Sequence, residues 1–199
     1  MRKRRRLAEG LLVGLLTAPW ASAASIVLNG GFETGNFNNW TLSGNTSFGV
    51  GVCLVNSNFQ GSICTVHSGS YAAMFGPSGS LGYISQTLTT VTGGMYNLTL
   101  YLRNDNLKST PVNQFHIYIG GTDVYNFSNA ADFNYKPISL SFFAVSTTTS
   151  LQFGFRNDPG GFYIDDISVD RISEPATMTL IGTGLLLAVG LNRRRSGLE

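Results

Sequence analysis

Apolar and polar side chains alternate along the stretch Tyr96-Asn97-Leu98-Thr99-Leu100-Tyr101-Leu102-Arg103. Successive side chains of a β-strand point to opposite faces, so Tyr96 and the three leucines share one face while Tyr101 and Arg103 share the other. A strand of this kind buries one face in a core and leaves the other in solvent, which is typical of an antiparallel sheet. The stretch therefore predicts a half-buried strand.

The same alternation recurs in three later stretches, each with one apolar face. No stretch in the middle of the chain repeats apolar residues at helical spacing for three turns. The sequence therefore predicts an all-β fold, an antiparallel β-sandwich over residues 24–172. The three apolar faces are Phe115, Ile117 and Ile119; Ile138, Leu140 and Phe142; and Leu151, Phe153 and Phe155.

The N-terminus has the order of a secretory signal peptide. Basic residues 2–6 precede an apolar segment centred on Leu11 to Leu16, and Ala21-Ser22-Ala23 supplies small residues for cleavage. We expect residues 1–23 to form a signal helix, to engage the Sec translocon and to be removed after Ala23 or Ala24. The alternative is a buried N-terminal helix, but five consecutive cations before an apolar run have no use in a core.

The C-terminal residues 173–199 combine an apolar run with a basic end. Met178 to Leu191 is mostly aliphatic, and Arg193-Arg194-Arg195 follows it. A single transmembrane helix over about residues 177–191 would be some 22 Å long, a marginal span for a hydrocarbon core of roughly 30 Å. The three arginines would hold that end on the cytoplasmic side.

This tail, with Glu174-Pro175 ahead of the apolar run, resembles the PEP-CTERM sorting signal of bacterial exported proteins. Ser173 stands where the usual motif has its first proline. The resemblance implies transient anchoring in the inner membrane, processing by an exosortase-type protease, and a final location at the cell surface or outside the cell. It also implies a setting of exopolysaccharide matrix.

The charge of the chain changes when its two ends are set aside. The 199 residues carry a formal charge of +2, but residues 24–173 contain five basic and eight acidic side chains. The remaining part, about the size of one domain with an adequate core, is mildly acidic. Its charge gives no support for nucleic-acid binding.

Cys53 and Cys64 are the two cysteines of the chain. In an exported protein such a pair is expected to form a disulfide. A metal site is the weaker alternative, because His67 is the one further ligand nearby. A catalytic thiol is weaker still, because no acid–histidine–cysteine pattern accompanies the two histidines, His67 and His116.

Two further stretches resemble the first and last strands of the galactose-binding-like jelly rolls, a group with many carbohydrate-binding modules. They are Asn29-Gly30-Gly31-Phe32-Glu33-Thr34-Gly35, followed by Trp40, and Gly161-Phe162-Tyr163-Ile164-Asp165-Asp166-Ile167-Ser168-Val169. The resemblance implies that the two termini are neighbours with a structural calcium between them. It also places Trp40 in the core rather than on a sugar-stacking surface.

The residues that would hold this calcium are Glu33, the carbonyl of Gly31, Asp165 and a carbonyl from Ser68 to Ser70, with Ser70 the predicted one. Calcium takes six to eight hard oxygen ligands. Two adjacent acids inside an apolar strand are costly unless they are solvated, bulged or metal-bound. The alternative is that Glu33 and Asp165 hydrogen-bond loop amides.

A ligand surface can be assembled from the polar faces of the strands, provided that these strands are neighbours in one sheet. Sugar recognition uses aromatic faces together with amide and guanidinium donors. Tyrosine on an exposed strand is also ordinary β-propensity, and a histidine such as His116 is more often a surface residue than a catalytic base. The predicted residues are Tyr101, Arg103, Gln114, His116, Tyr118 and Arg156.

These features together predict an exported, non-catalytic surface or matrix protein whose jelly roll binds carbohydrate or exopolysaccharide. The alternatives are a structural or adhesion protein without a sugar site and, with least support, a polysaccharide-active enzyme. Asp165 and Asp166 are adjacent, so in a regular strand they point to opposite faces and cannot flank one glycosidic bond.

Overall fold

A computed structural model describes residues 24–46, 49–59, 61–107 and 112–172. The described residues form strands and no helix, so the all-β prediction is confirmed. The predicted signal helix and C-terminal membrane helix lie outside these residues. The described part contains no helix that is long and apolar enough to cross a membrane. The strands are β1 (Thr41–Gly44), β2 (Val50–Leu54), β3 (Asn58–Phe59), β4 (Ser62–Ile63), β5 (Tyr71–Phe75), β6 (Gly82–Thr89), β7 (Met95–Asn106), β8 (Val112–Ile119), β9 (Thr122–Ser128), β10 (Phe133–Phe143), β11 (Thr148–Asp158) and β12 (Gly160–Arg171).

Ten of these strands form two five-stranded sheets. Sheet I has the order β1-β6-β11-β8-β9, and sheet II has the order β10-β7-β12-β5-β2. Every pairing between adjacent strands is antiparallel. The two sheets pack face to face, which confirms the predicted sandwich.

The core lies between the sheets, and the predicted apolar faces point into it. Leu98, Leu100 and Leu102 from sheet II are fully buried in the same cluster as Phe115 and Phe153 from sheet I. Phe75 of sheet II stacks on Phe155 of sheet I with ring centroids 4.0 Å apart.

Trp40 belongs to this core, as predicted. It is 7% exposed and its ring lies 5.9 Å from Phe32 and 6.2 Å from Phe153. Its indole N–H donates to the carbonyl of Asn29, so its single polar group is satisfied inside the apolar surroundings.

The first described residues are hydrogen-bonded to the last strand, so the two termini of the sandwich are neighbours. The amide of Ile26 donates to the carbonyl of Val169 at 2.9 Å, and the amide of Ile167 donates to the carbonyl of Gly30 at 3.0 Å. The register of β12 with β7 shifts between Asp165 and Ser168. This bulge explains how the strand accommodates two adjacent acids, because it breaks the regular alternation.

A disulfide joins Cys53 to Cys64, as predicted. The segment that it closes contains the small β3–β4 hairpin. Both cysteines pack against Met74 and Tyr163 of sheet II, with Phe59, Val66 and Tyr135 at the edge of this cluster. The disulfide-closed segment therefore covers part of the outer face of sheet II.

Candidate functional site

The six residues predicted to form one ligand surface lie on two different sheets, and this part of the prediction is wrong. Tyr101 and Arg103 belong to β7 in sheet II, whereas Gln114, His116 and Tyr118 belong to β8 and Arg156 to β11 in sheet I. Alternation identifies the polar face of a strand, but it does not say which sheet the strand joins. The single predicted surface thus becomes two outer faces on opposite sides of the sandwich.

The outer face of sheet I carries an aromatic platform made of Tyr83, His116 and Tyr118. Tyr83 on β6 and His116 on β8 are the register partners of Gly154 on the intervening β11. A Cβ added at Gly154 would lie 3.0 Å from the ring of Tyr83 and 3.4 Å from the Cβ of His116. The missing side chain of Gly154 is therefore what allows the ring of Tyr83 to lie over the central strand.

The rings of this platform are close to one another but not coplanar. The centroids of Tyr83 and Tyr118 are 6.3 Å apart with their planes at 58°. His116 and Tyr118 are 5.8 Å apart and nearly parallel, at 15°. All three side chains are half-buried, so each keeps part of its ring surface accessible.

Polar side chains surround the platform. Gln152 is the register partner of Tyr118, and Arg156 is the register partner of Gln114. Arg156 Nε donates to Asp158 Oδ2 at 2.8 Å. Burial alone would raise the pKa of Asp158. Hydrogen bonds from Arg156, Ser78 and Gly79 lower this pKa by more than burial raises it, so the net result is a lowered pKa. The Arg156–Asp158 pair is therefore charged on both sides near neutral pH.

A bulge in β9 brings a carboxylate to the platform. The register between β8 and β9 shifts between Ile117 and Tyr118, and this places Asp123 opposite Tyr118. Asp123 Oδ2 lies 2.9 Å from His116 Nδ1 and also accepts from the amide of Asn126. Burial, then the charge of Asp123 and the nearby Tyr83, raise the pKa of Tyr118, so its hydroxyl stays protonated and can donate.

The ligand residues predicted from the sequence did not include Tyr83, Gln152 or Asp123. Strand β6 does alternate, with Tyr83 outside and Ile84 and Leu88 inside. Gln86 interrupts the apolar face of β6, and this is why the strand is hard to recognise. The polar side chain of Gln86 can be buried because its amide group forms hydrogen bonds with the backbone of Leu28 and Asn39 at the sheet edge. Nothing in the sequence pattern indicates the bulge that positions Asp123.

On the outer face of sheet II, the two predicted residues are engaged with the disulfide-closed side of the molecule. The ring of Tyr101 stacks on His67 with centroids 3.4 Å apart. Arg103 donates to Thr65 and Asp105, and its guanidinium lies 5.0 Å from the ring centroid of Tyr163. Tyr101 and Arg103 therefore pack against the residues that follow Cys64.

The four predicted calcium residues lie close together where the termini meet. Glu33 accepts hydrogen bonds from the amides of Ser70 and Tyr71. A Cβ at Gly31 would lie 3.8 Å from Asp165 Oδ1 and 3.5 Å from Asp166 Oδ1. Among the described residues, no three His, Cys, Asp or Glu side chains are arranged to hold a metal ion.

Asp165 is the most unusual acid of this cluster. Its side chain is 0% exposed and accepts from the amides of His67, Ser68 and Asp166. Burial, with a contribution from the charge of Asp166, raises the pKa of Asp165 to about 6 although the three amides lower it. Hard oxygens with an excess of negative charge fit a calcium ion. The hydrogen bonds that backbone amides donate to Asp165 and Glu33 correspond to the alternative without metal.

A shallow cavity of about 500 Å³ opens at the edge of sheet I beside Ile26, Leu28 and Asn39. The amide of Gln86, which lines it, is already bonded to Leu28 and Asn39. No aromatic side chain lines this cavity, whereas the platform has three rings, so the platform remains the better candidate for a binding site.

Comparison with solved structures identifies the architecture. Structures similar to this chain include TmCBM61, solved in complex with β-1,4-galactotriose, at a TM-score of 0.56 and 20% identity over 74% of this chain and 99% of that one. Another is the C-terminal family 22 carbohydrate-binding module of Clostridium thermocellum Xyn10B, with TM-score 0.51 and 16% identity over 77% and 97% of the two chains. The described domain has the jelly-roll fold of the carbohydrate-binding modules.

The same fold also occurs in a protein of a different kind. The K3 cleaved adhesin domain of Lys-gingipain from Porphyromonas gingivalis w83 matches this jelly roll with TM-score 0.55 and 15% identity over 75% of this chain and 98% of that one. The carbohydrate-binding modules are non-catalytic neighbours, although some are attached to enzymes. No protein-family model and no curated protein matches the sequence.

Proposed function

We propose that this jelly roll binds carbohydrate on the aromatic platform of sheet I. The observation that carries the proposal is the grouping of Tyr83, His116 and Tyr118 around the bare backbone of Gly154. The C–H-rich faces of sugar rings pack on aromatic faces, and their hydroxyls need donors and acceptors at the rim. Gln114, Gln152 and the Tyr118 hydroxyl supply these groups.

The charges at the platform favour a neutral glycan over a uronic acid polymer. Arg156, the guanidinium at this site, is already bonded to Asp158, and His116 is bonded to Asp123. An incoming carboxylate would have to displace one of these acids or lie close to both. We therefore expect hexose or pentose chains to bind more tightly than polyuronates.

The ring geometry favours a single chain over a flat crystalline surface. The planes of Tyr83 and Tyr118 are inclined at 58°, so two consecutive sugar rings that pack on them must be rotated relative to one another. A flat polysaccharide surface would need coplanar rings. Twisted, soluble chains of the kind present in an exopolysaccharide matrix meet the requirement.

Affinity electrophoresis and titration calorimetry against neutral and acidic polysaccharides test this proposal. Truncating Tyr83→Ala or Tyr118→Ala removes a stacking contact worth about 1.4 kcal/mol, which is about tenfold in affinity. Tyr101→Ala on the opposite face is the matched control and leaves binding unchanged. Loss of binding in Tyr101→Ala alone, or equal losses in all three variants, would contradict the assignment.

An adhesion role without a sugar site is the second candidate, and the similarity to the cleaved adhesin domain favours it. In that case no polysaccharide binds, and the chain instead associates with itself or with a protein. A glycan-active enzyme is the third candidate and would require turnover of a polysaccharide. Polysaccharide binding separates the first candidate from the second, and an assay for turnover of the same polysaccharides separates it from the third.

Delivery of the jelly roll to the cell surface belongs to the same proposal. The signal sequence before Ala23 and the tail of Glu174-Pro175, apolar run and arginines support export through the Sec translocon, brief anchoring in the inner membrane and cleavage by an exosortase-type protease. Mass spectrometry of the mature protein tests this. We expect both ends to be missing, and a retained tail would contradict the processing step.

A structural calcium between the termini is also proposed. Asp165 and Glu33 with the carbonyls of Gly31 and Ser70 would hold it, and the ion would neutralise the buried carboxylate of Asp165. We expect the melting temperature to fall on chelation and to recover on addition of calcium but not of magnesium. A melting temperature that neither treatment changes would mean that Glu33 and Asp165 only accept hydrogen bonds from loop amides and bind no calcium.

A further inference from the structure

One end of the sandwich has an unusual concentration of exposed apolar side chains, here called the end patch. It consists of Val91 (49% exposed), Met95 (37%), Phe143 (66%), Val145 (87%) and Ile172 (43%). Isolated apolar side chains on a surface are ordinary, but grouped ones mark an interaction surface. The end patch therefore has the composition of an interaction surface.

Backbone hydrogen bonds hold the parts of the end patch together. The amide of Gly93 donates to the carbonyl of Ala144 at 2.7 Å, and the amide of Ala144 donates to the carbonyl of Gly94 at 2.9 Å. Met95 is the register partner of Phe143, and the amide of Ile172 donates to the carbonyl of Met95 at 2.8 Å. The two loops and the end of β12 therefore form one surface.

The end patch is also where the chain leaves the sandwich toward its apolar tail. Five residues separate Ile172 from Met178, the start of the apolar run, and this connection extends at most about 20 Å. A tail inserted in a bilayer would thus keep the end patch close to the lipid surface. The opposite end of the sandwich would be farther away by the length of β7, about 40 Å for its 12 residues.

We propose that the end patch rests on the lipid bilayer that the apolar tail enters. This inference rests on the proposed membrane anchoring of the tail. The loop segments 90–95 and 143–148 contain no charged residue, so their contact with the apolar–headgroup boundary carries no cost for desolvating a charge. Arg171 has its Nε 3.6 Å from the Cβ position of Gly94, where it can meet a lipid phosphate.

This orientation leaves the aromatic platform free. The platform lies on the outer face of sheet I, whereas the end patch lies at the end of the strands, so a domain standing on the bilayer presents Tyr83 and Tyr118 sideways to the surrounding matrix. Membrane contact and glycan binding are therefore compatible on one chain.

Depth-dependent fluorescence quenching tests the orientation on the full chain. The two natural cysteines are joined in a disulfide, so Val145→Cys provides a single free thiol for an environment-sensitive probe. Leu107→Cys is the matched control, because Leu107 is 64% exposed and directly follows the far end of β7. Each labelled chain is reconstituted into phosphatidylcholine–phosphatidylglycerol vesicles with or without nitroxide-labelled lipid.

We expect the probe at position 145 to be quenched severalfold more than the probe at position 107. Replacing Met95 and Phe143 by serine should reduce this quenching while the chain still floats with the vesicles. Flotation with equal, weak quenching at both positions would overturn the end-patch assignment and leave the anchor standing. A blue-shifted probe at position 145 without lipid quenching would show that the tail or a second copy covers the patch, and would also overturn it. Failure to float would overturn both the anchor and the orientation.

Discussion

At the scale of single residues, the two most informative positions are Asp165 and Gly154. Asp165 is a carboxylate that the fold buries completely and surrounds with backbone amides. Gly154 matters for what it lacks, since its missing side chain lets Tyr83 lie over β11. Asp165 could be singled out from the sequence because it interrupts an apolar strand, and there it was predicted to be a calcium ligand. The role of Gly154 could not be predicted, because it depends on Tyr83, a residue on another strand.

The titration of Asp165 gives a prediction with a definite sign. Its pKa of about 6 in the folded protein lies above the ordinary value of about 3.9 in an unfolded chain. The folded state therefore binds this proton more tightly, and the free energy of unfolding falls as the pH rises from about 4 to about 6, by up to about 2 to 3 kcal/mol.

The measurement is denaturant unfolding of the wild type and of Asp165→Asn at each pH, with a calcium chelator present. The comparison with Asp165→Asn is needed because Asp158, whose pKa is lowered, acts in the opposite direction and is present in both proteins. We expect the wild type to lose stability relative to Asp165→Asn across this window. A stability difference that does not change with pH would contradict the assignment.

At the scale of elements, the buried face of a strand could be predicted from the sequence, but the strands with which it pairs could not. The apolar faces of β7, β8, β10 and β11 were predicted because period-two alternation is a local property. Their assignment to sheets depends on pairings between distant parts of the chain, and this is why Tyr101 and His116 were wrongly placed on one surface. Strand β6 was missed because Gln86 occupies a core-facing position, where tertiary hydrogen bonds satisfy its amide.

The disulfide-closed segment provides a prediction at this scale. Replacing Cys53 and Cys64 together by alanine removes the constraint on an eleven-residue separation, worth about 2 to 3 kcal/mol in the chain-entropy estimate. For a domain of this size the melting temperature should fall by about 5 to 10 °C.

Differential scanning calorimetry of the wild type with and without reductant, beside the double variant, makes this measurement. Reductant should lower the melting temperature of the wild type and leave the double variant unchanged. Glycan affinity should survive in both because the segment covers sheet II, whereas the platform lies on sheet I. A loss of glycan binding on reduction would indicate that the glycan binds on the side of sheet II, and would contradict a site on sheet I.

At the scale of the whole molecule, the fold is closed where its two ends meet. The backbone of Gly30 lies against the last strand, and a Cβ at this position would come 1.9 Å from the carbonyl oxygen of Ile167. At the neighbouring Gly31 the nearest atom to an added Cβ is 3.5 Å away, an ordinary contact. The resemblance of both terminal stretches to jelly-roll strands predicted this proximity, and backbone hydrogen bonds bear it out.

Gly30→Ala and Gly31→Ala form a matched pair that tests the closure. Gly30→Ala must separate the first segment from β12, and we expect it to cost about 2 to 3 kcal/mol of unfolding free energy. Gly31→Ala should change stability much less. Chemical denaturation of both variants provides the comparison, and equal losses would mean that the contact between Gly30 and Ile167 does not hold the ends together.

The function that we propose for the jelly roll is binding of a neutral glycan on the outer face of sheet I. Amide chemical-shift mapping of the ¹⁵N-labelled protein, titrated with the tightest-binding oligosaccharide from the screen, tests it most directly. We expect the perturbed amides to cluster around Tyr83, His116, Tyr118 and Gly154. Perturbations centred instead on Tyr101 and Arg103, or saturable binding that leaves the amides of sheet I unchanged, would contradict it.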